Sequence, residues 1–174
     1  MNIDWAQVYS STYEDLVRFL YRKVWDADRA HDLAQETFMR CLRDAAGTRK
    51  IDNVRAFVFT VANNLAKDEA RTVLRRRKHL VLLKNETVAA QPAQDASDAI
   101  DRERRIAAVE AALSDLTDRD REVLLLWDAG LSYQEIAQQT GLAIGAIGTT
   151  LSRARRKLVD TYEEIERQKH VAHR

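Results

Sequence analysis

The sequence predicts an all-α protein of two small helical domains joined by a flexible linker. Three observations carry that prediction. The 174 residues include one Pro and five Gly, so little interrupts a helix, and the abundant Ala, Leu, Arg, Glu and Gln are helix formers. Apolar residues return at steps of three and four through most of the chain, and no alternating runs bounded by turn signals suggest a sheet. From about Lys84 to Ser97 this periodicity lapses, around a run Ala89 to Ser97 that holds the sole proline and no large apolar residue, as a linker would. The expected division is a domain over 1–83, a linker over 84–98 and a domain over 99–174. Each domain lies near the lower size limit for a self-sufficient core.

The first helix is expected from Asp4 to Trp25, with Trp5, Val8, Tyr9, Leu16, Val17, Leu20 and Val24 as its apolar stripe. The second is expected from Asp26 to Ala46, with Ala30, Leu33, Ala34, Thr37, Phe38, Cys41 and Leu42 turned inward and Gly47 as the residue past its end. After a polar loop, Asn53 can cap a long third helix, about Val54 to Leu83. Phe57, Val58, Val61, Ala62, Leu65 and Ala66 form its buried face, and its second half turns strongly basic.

Beyond the linker, Ile106, Val109, Leu113 and Leu116 define a helix, and Thr117 caps the next, which carries Asp118 and Asp120 in its first turn and ends at Gly130. Then comes a helix-turn-helix. Ser132 and Glu135 form a capping box that fixes where its first helix begins. Ala137 is small where the helices approach, and Gly141 supplies the backbone freedom of the turn. In the second helix Ile144, Ile147, Leu151, Ala154 and Leu158 make one apolar stripe. The other face holds Thr149, Ser152, Arg153 and Arg156, groups suited to phosphates and base edges in a major groove. The competing reading of this segment is a helical hairpin with solvated arginines. A polar tail from about Glu166 closes the chain.

The net charge of +1 hides a pattern. Residues 1–84 carry 16 Lys/Arg against 11 Asp/Glu, residues 85–122 carry 5 against 10, and residues 123–174 carry 7 against 6. Two basic clusters, Arg71 to Lys78 and Arg153 to Lys157, therefore flank an acidic middle, which suggests two contacts with nucleic acid. Alternatively each is a solvated helix end, where Lys and Arg are also favoured. The lone Cys41 excludes an internal disulfide and fits a small core residue better than a redox sensor. The apolar runs are too short to span a bilayer and the N-terminus lacks signal-peptide features, so a cytoplasmic protein without membrane insertion is expected. The four histidines form no HExxH or Cys/His cluster; His170 and His173 could share a helical face, but a frayed tail is the simpler reading. With no Gly-rich phosphate loop and no G-x-S-x-G, no catalytic set, metal site or cofactor is expected.

The order of these parts resembles an extracytoplasmic-function (ECF) sigma factor of the sigma-70 family, across roughly Tyr13 to Tyr162. Two blocks carry the resemblance beside the helix-turn-helix. Asp32-Leu33-Ala34-Gln35-Glu36-Thr37-Phe38-Met39-Arg40 is similar to the family's D-x-x-Q-E-x-F-x-R signature. Helical spacing puts Asp32, Gln35, Glu36 and Met39 on one outer face. The resemblance implies that this face binds the β′ clamp helices of core RNA polymerase; without it, the face reads as merely solvated. The block Arg55 to Arg71 is similar to the family's helix that melts and reads the promoter −10 element, with Asn64, Asp68 and Arg71 in the N-x-x-x-D-x-x-R positions. Asn can offer a base both donor and acceptor, and Arg can hold a phosphate. The −10 candidates are Asn63, Asn64, Asp68, Arg71 and Arg75; the −35 candidates are Thr149, Thr150, Ser152, Arg153 and Arg156.

Departures from the family pattern are present. Phe57 stands for a frequent Trp, Asn63 for Arg, Ala143 for Pro, and the uncharged Gly148-Thr149-Thr150 for a triplet with basic residues. Arg153 and Arg155 match. The resemblance implies further partners: the β flap for the second domain, promoter DNA, and an anti-sigma factor. Two other readings compete. One is a stand-alone helix-turn-helix regulator binding a two-fold operator. The other is a nuclease using Asp32, Glu36 or Asp68 as metal ligands, which lack a coordinating neighbour set.

Overall fold

The computed structural model describes residues 3–45, 51–81 and 97–172, with side chains at 3–45, 51–72 and 101–168. Seven α-helices and no strand occur among them. Two compact units form: Met1–Asn85 with Asp128–Leu131, and Glu86–Trp127 with Ser132–Arg174. Gly47 and most of the expected linker lie outside the described residues.

The first unit is a three-helix bundle of α1 (Trp5–Val24), α2 (Ala27–Ala45) and α3 (Val54–Val81). Asp4 starts α1 by accepting from the Ala6 and Gln7 N–H groups at 3.1 Å each, which satisfies donors no helical carbonyl can reach. Trp25 ends it at φ 55°, its N–H bonded to Tyr21 O at 2.7 Å. That left-handed conformation costs a non-glycine residue about 1 kcal/mol, and the Trp25 ring packs edge-on against Tyr21.

Asp26 caps α2 through the Arg29 N–H at 2.9 Å, and Asn53 caps α3 through the Ala56 N–H at 3.1 Å. The core joins Leu16, Phe19 and Leu20 of α1, Leu33, Thr37, Phe38 and Cys41 of α2, and Val58, Phe59, Ala62 and Leu65 of α3. Phe19 meets Phe59 edge to face at 5.3 Å between centroids, the arrangement ring quadrupoles favour. Neither phenylalanine was in the expected stripes. Conversely Tyr9 and Leu42, expected inward, are 43% and 45% exposed. Burial pushes the Cys41 thiol up to about 12, with Asp44 adding to the shift; a thiol held protonated is a poor nucleophile.

The second unit contains α4 (Ser97–Ser114), α5 (Asp118–Asp128), α6 (Tyr133–Thr140) and α7 (Ile144–Ala172). Ala112, Leu113, Val123, Leu126, Ile136, Ile147, Leu151 and Ala154 fill its core. Thr117 caps α5 by accepting from the Asp120 N–H at 3.1 Å. The capping box of α6 is complete: Glu135 N–H donates to Ser132 Oγ at 3.3 Å, and Ser132 N–H donates to Glu135 at 2.8 Å. Gly141 takes φ 71° to turn the chain, with its N–H on Ala137 O at 2.9 Å. Two stripe residues depart from expectation: Ile144 is 55% and Val109 37% exposed. Where a polar tail was expected, α7 continues to Ala172. Glu164 supports it there, paired with Arg167 at 3.2 Å and accepting from Gln168 at 2.9 Å, as helical neighbours three and four apart can.

Candidate polymerase and nucleic-acid surfaces

On α2, the inward residues Leu33, Thr37 and Phe38 are buried, which leaves Asp32, Gln35 and Met39 exposed and Glu36 half-buried. Glu36 accepts from Arg40 at 2.6 Å, and Asp32 lies 3.8 Å from Arg29. Met39 is 59% exposed, and Leu42, one turn on, extends the same face. The surface is thus acidic at one end and apolar at the other. Leu42 belongs to it although the apolar stripe of the sequence had claimed it for the core.

On α3, Asn64, Asp68 and Arg71 lie exposed, one turn apart. Arg71 reaches Asp68 at 3.4 Å with both side chains about two-thirds in solvent; such a pair is worth about 0–1 kcal/mol and yields readily to a phosphate. Asn63 is a correction. It is 1% exposed, four residues after Phe59 and three before Ala66 on the buried face, and its Oδ1 accepts from Lys23 Nζ at 2.7 Å. A side chain so placed joins α1 to α3 and does not stand on the exposed face that Asn64 occupies. Glu69, next to Asp68, takes both arms of the Arg29 fork at 2.8 Å, fastening α2 to α3. Arg75 continues α3 one turn past Arg71; its side chain lies outside the described set.

On α7, Gly148, Thr149, Ser152, Arg153, Arg156, Lys157 and Asp160 line an open groove of about 490 Å³. Four of the five −35 candidates are in it. Thr150 is the second correction: it is 5% exposed, because it lies three residues after Ile147 and four before Ala154 and so shares their inward face.

The cations of the groove are held in different ways. Arg153 donates through Nε and Nη2 to the two carboxylate oxygens of Asp120, at 3.2 and 2.5 Å. Asp120 is itself 4% exposed. Its bond to Arg153 holds its carboxyl below the usual carboxylate range against the opposing effect of burial, and the guanidinium is raised in turn. Lys157 lies 3.2 Å from the Asp115 carboxylate and donates to Asp115 O at 2.6 Å, while Thr161 donates to the same carboxylate at 3.1 Å. Lys157 first, then Thr161, lowers the Asp115 carboxyl. Arg156, among the described residues, has no acidic partner. Arg155 faces away from the groove, its guanidinium 3.8 Å above the Trp127 ring. The sequence places Asp120 only in the first turn of its helix; the pairings of Asp115 and Asp120 with Lys157 and Arg153 have no signal in it, because the partners lie 42 and 33 residues away, beyond any helical period.

Among the described residues no group of three or more His, Cys, Asp and Glu could hold a metal ion, and no helix is long and apolar enough to cross a membrane.

Residues 8–77 match the family model of sigma-70 region 2 and residues 106–158 that of sigma-70 region 4. The chain is 35% identical to the ECF RNA polymerase sigma factor EcfG of Rhodopseudomonas palustris over 76% of its own length and 71% of that protein's. It is 28% identical to the RNA polymerase sigma factor YlaC of Bacillus subtilis, with 87% of each covered. Among solved structures it is similar to the sigma factor RpoE of Bartonella quintana, determined in complex with the anti-sigma factor NepR, at TM-score 0.71 and 28% identity over 92% of this chain and 97% of that one. CnrH, determined with the cytosolic domain of CnrY, shares the fold at TM-score 0.67 and 21% identity, covering 92% of this chain and 88% of that one. A region 2 bundle followed by a region 4 helix-turn-helix, in a chain this similar to ECF relatives, makes this protein a member of the ECF group of the sigma-70 family and an alternative RNA polymerase sigma factor.

Proposed function

We propose how the labour of transcription initiation is divided over these surfaces. The α2 face of Asp32, Gln35, Glu36 and Met39, extended by Leu42, docks on the β′ clamp helices of core RNA polymerase. The exposed row Asn64, Asp68 and Arg71 of α3, with Arg75 beyond it, engages the −10 element and holds its non-template strand once the duplex opens. The face of α7 that carries Thr149, Ser152, Arg153 and Arg156 enters the −35 major groove, and other helical surface of the second unit meets the β flap. In this reading 1–83 and 99–174 are the working domains and 84–98 is the linker. The chain works in the cytoplasm, supplies no reacting group and needs no cofactor; phosphodiester chemistry belongs to the polymerase. An anti-sigma factor, such as accompanies RpoE, would act by covering these faces.

The observation that carries this reading is the presence, in one chain, of an exposed acidic-apolar face on α2, an exposed Asn/Asp/Arg row on α3 and a hydroxyl- and guanidinium-lined groove on a capped helix-turn-helix. The test is co-purification of the tagged protein with bacterial core polymerase, beside duplex binding by the protein alone. The expected result is stoichiometric capture, weak and salt-sensitive binding by the free protein, and promoter-directed transcription by the pair. No capture, with tight binding to a symmetric duplex site, would establish the stand-alone regulator instead.

A further inference from the structure

Asp120 sits in the first turn of α5, where an acidic residue is expected merely to complement the helix dipole. Its surroundings argue for more. It is 4% exposed, yet its partner Arg153 is 63% exposed and lines the groove. The bond is a fork: Nε and Nη2 are engaged by the two oxygens of one buried carboxylate. A guanidinium gripped along that edge still has the N–H groups of Nη1 and one of Nη2 to donate, side by side at its far end. Two parallel donors of that kind match the spacing of two phosphate oxygens. Arg153 stands in the third turn of α7, past the first turns from which a recognition helix reads base edges.

We infer that Asp120 is a positioning residue for upstream promoter binding: it locks the Arg153 guanidinium in place at the groove so that its free edge clamps a DNA backbone phosphate. The inference rests on α7 being the helix that meets the −35 duplex. Its energetic logic is preorganisation. An unrestrained Arg must give up rotamer freedom on contact, whereas this one has already done so in the free protein. A carboxylate near DNA would ordinarily oppose binding, so the inference predicts the opposite sign from simple charge counting.

The experiment measures binding of the reconstituted holoenzyme to a promoter duplex for wild type, Asp120→Asn, Arg153→Lys, Arg153→Ala, the Asp120→Asn/Arg153→Ala double variant, and Arg156→Ala as a groove control. Thermal melting and core capture are followed alongside. The expected result is a roughly tenfold loss of affinity for Asp120→Asn, similar across −35 sequences because a phosphate contact carries no sequence information. Core capture is unchanged, and Asp120→Asn has no further effect once Arg153 is alanine. Arg153→Lys leaves Asp120 in place and keeps the charge but lacks the fork, so it should bind like Arg153→Ala; it supplies the test even if Asp120→Asn proves poorly folded. Unchanged or tighter binding by a folded Asp120→Asn, or wild-type affinity for Arg153→Lys with Arg153→Ala impaired, overturns the positioning role while leaving the α7 reading standing. Wild-type affinity for both Arg153→Ala and Arg156→Ala overturns the α7 reading, and the positioning role with it.

Discussion

Adjacent asparagines on α3 show how one residue of helical rotation divides a core position from a surface position. Asn63 is buried against Lys23, while Asn64 stands in solvent. Asn63→Ala removes the acceptor of a part-buried amine and should lower unfolding free energy by about 1–3 kcal/mol, read by denaturant titration. Asn64→Ala should leave stability and core capture near wild type and reduce open-complex formation, read by permanganate reactivity of unpaired thymines. If the two variants behaved alike in both assays, the assignment of opposite roles would be wrong. Both residues are polar in the sequence; Asn64 fits the family's N-x-x-x-D-x-x-R pattern, whereas Asn63 stands where the family has Arg and so departs from it. What separates them is phase, one step of 100°: Asn63 lies one turn before Ala66, which the apolar stripe of the sequence includes, and one turn after Phe59, which it does not. Thr150 repeats the case against Ile147 and Ala154. No such signal existed for Asp120, whose partner comes from another helix.

At the scale of the element, local chemistry was most legible where it is self-contained. The box between Ser132 and Glu135 needs four residues and nothing else, and it appears as its spacing required. Ser132→Ala should therefore cost about 1 kcal/mol, seen as a lower melting temperature of the second unit. Gly141→Ala tests a different cost. Beyond the adjoining residues nothing lies within 4 Å of the added Cβ and φ is +71°, so the penalty is backbone conformation alone, about 1–2 kcal/mol. A neutral Gly141→Ala would mean the turn relaxes to another conformation. Helix ends and apolar stripes were less legible. Tyr9, Leu42 and Ile144 keep the helical period yet sit at its margin, where a few tens of degrees decide between core and surface. The last turns of α7 carry no apolar stripe to announce them and are supported by pairs such as Arg167 with Glu164.

For the whole molecule, the two-domain all-α character followed from composition and periodicity, and its meaning came from the order of the parts. Charge supplies a test at this scale. Arg153 holds the Asp120 carboxyl below the ordinary carboxylate range. The pair therefore stabilises the folded state fully above the unfolded-state pKa of about 4, and this contribution is lost as pH falls through the lowered folded value. Wild type should melt above Asp120→Asn at pH 7, and the difference should close below about pH 4; a difference constant down to acid pH would assign the loss to packing.

The eight residues of α6 carry a consequence for kinetics. A helix so short has no independent existence in water, since nucleation outweighs the few bonds it can form. It persists because Ile136 and Ala137 are buried against the rest of the unit. The amide protons of Ile136 and Ala137 should then exchange with deuterium only when the second unit opens as one cooperative body, with the same opening free energy as Leu151 in the centre of α7. The helix-turn-helix unit would on that account be an all-or-none foldon, with α7 either fully seated or absent.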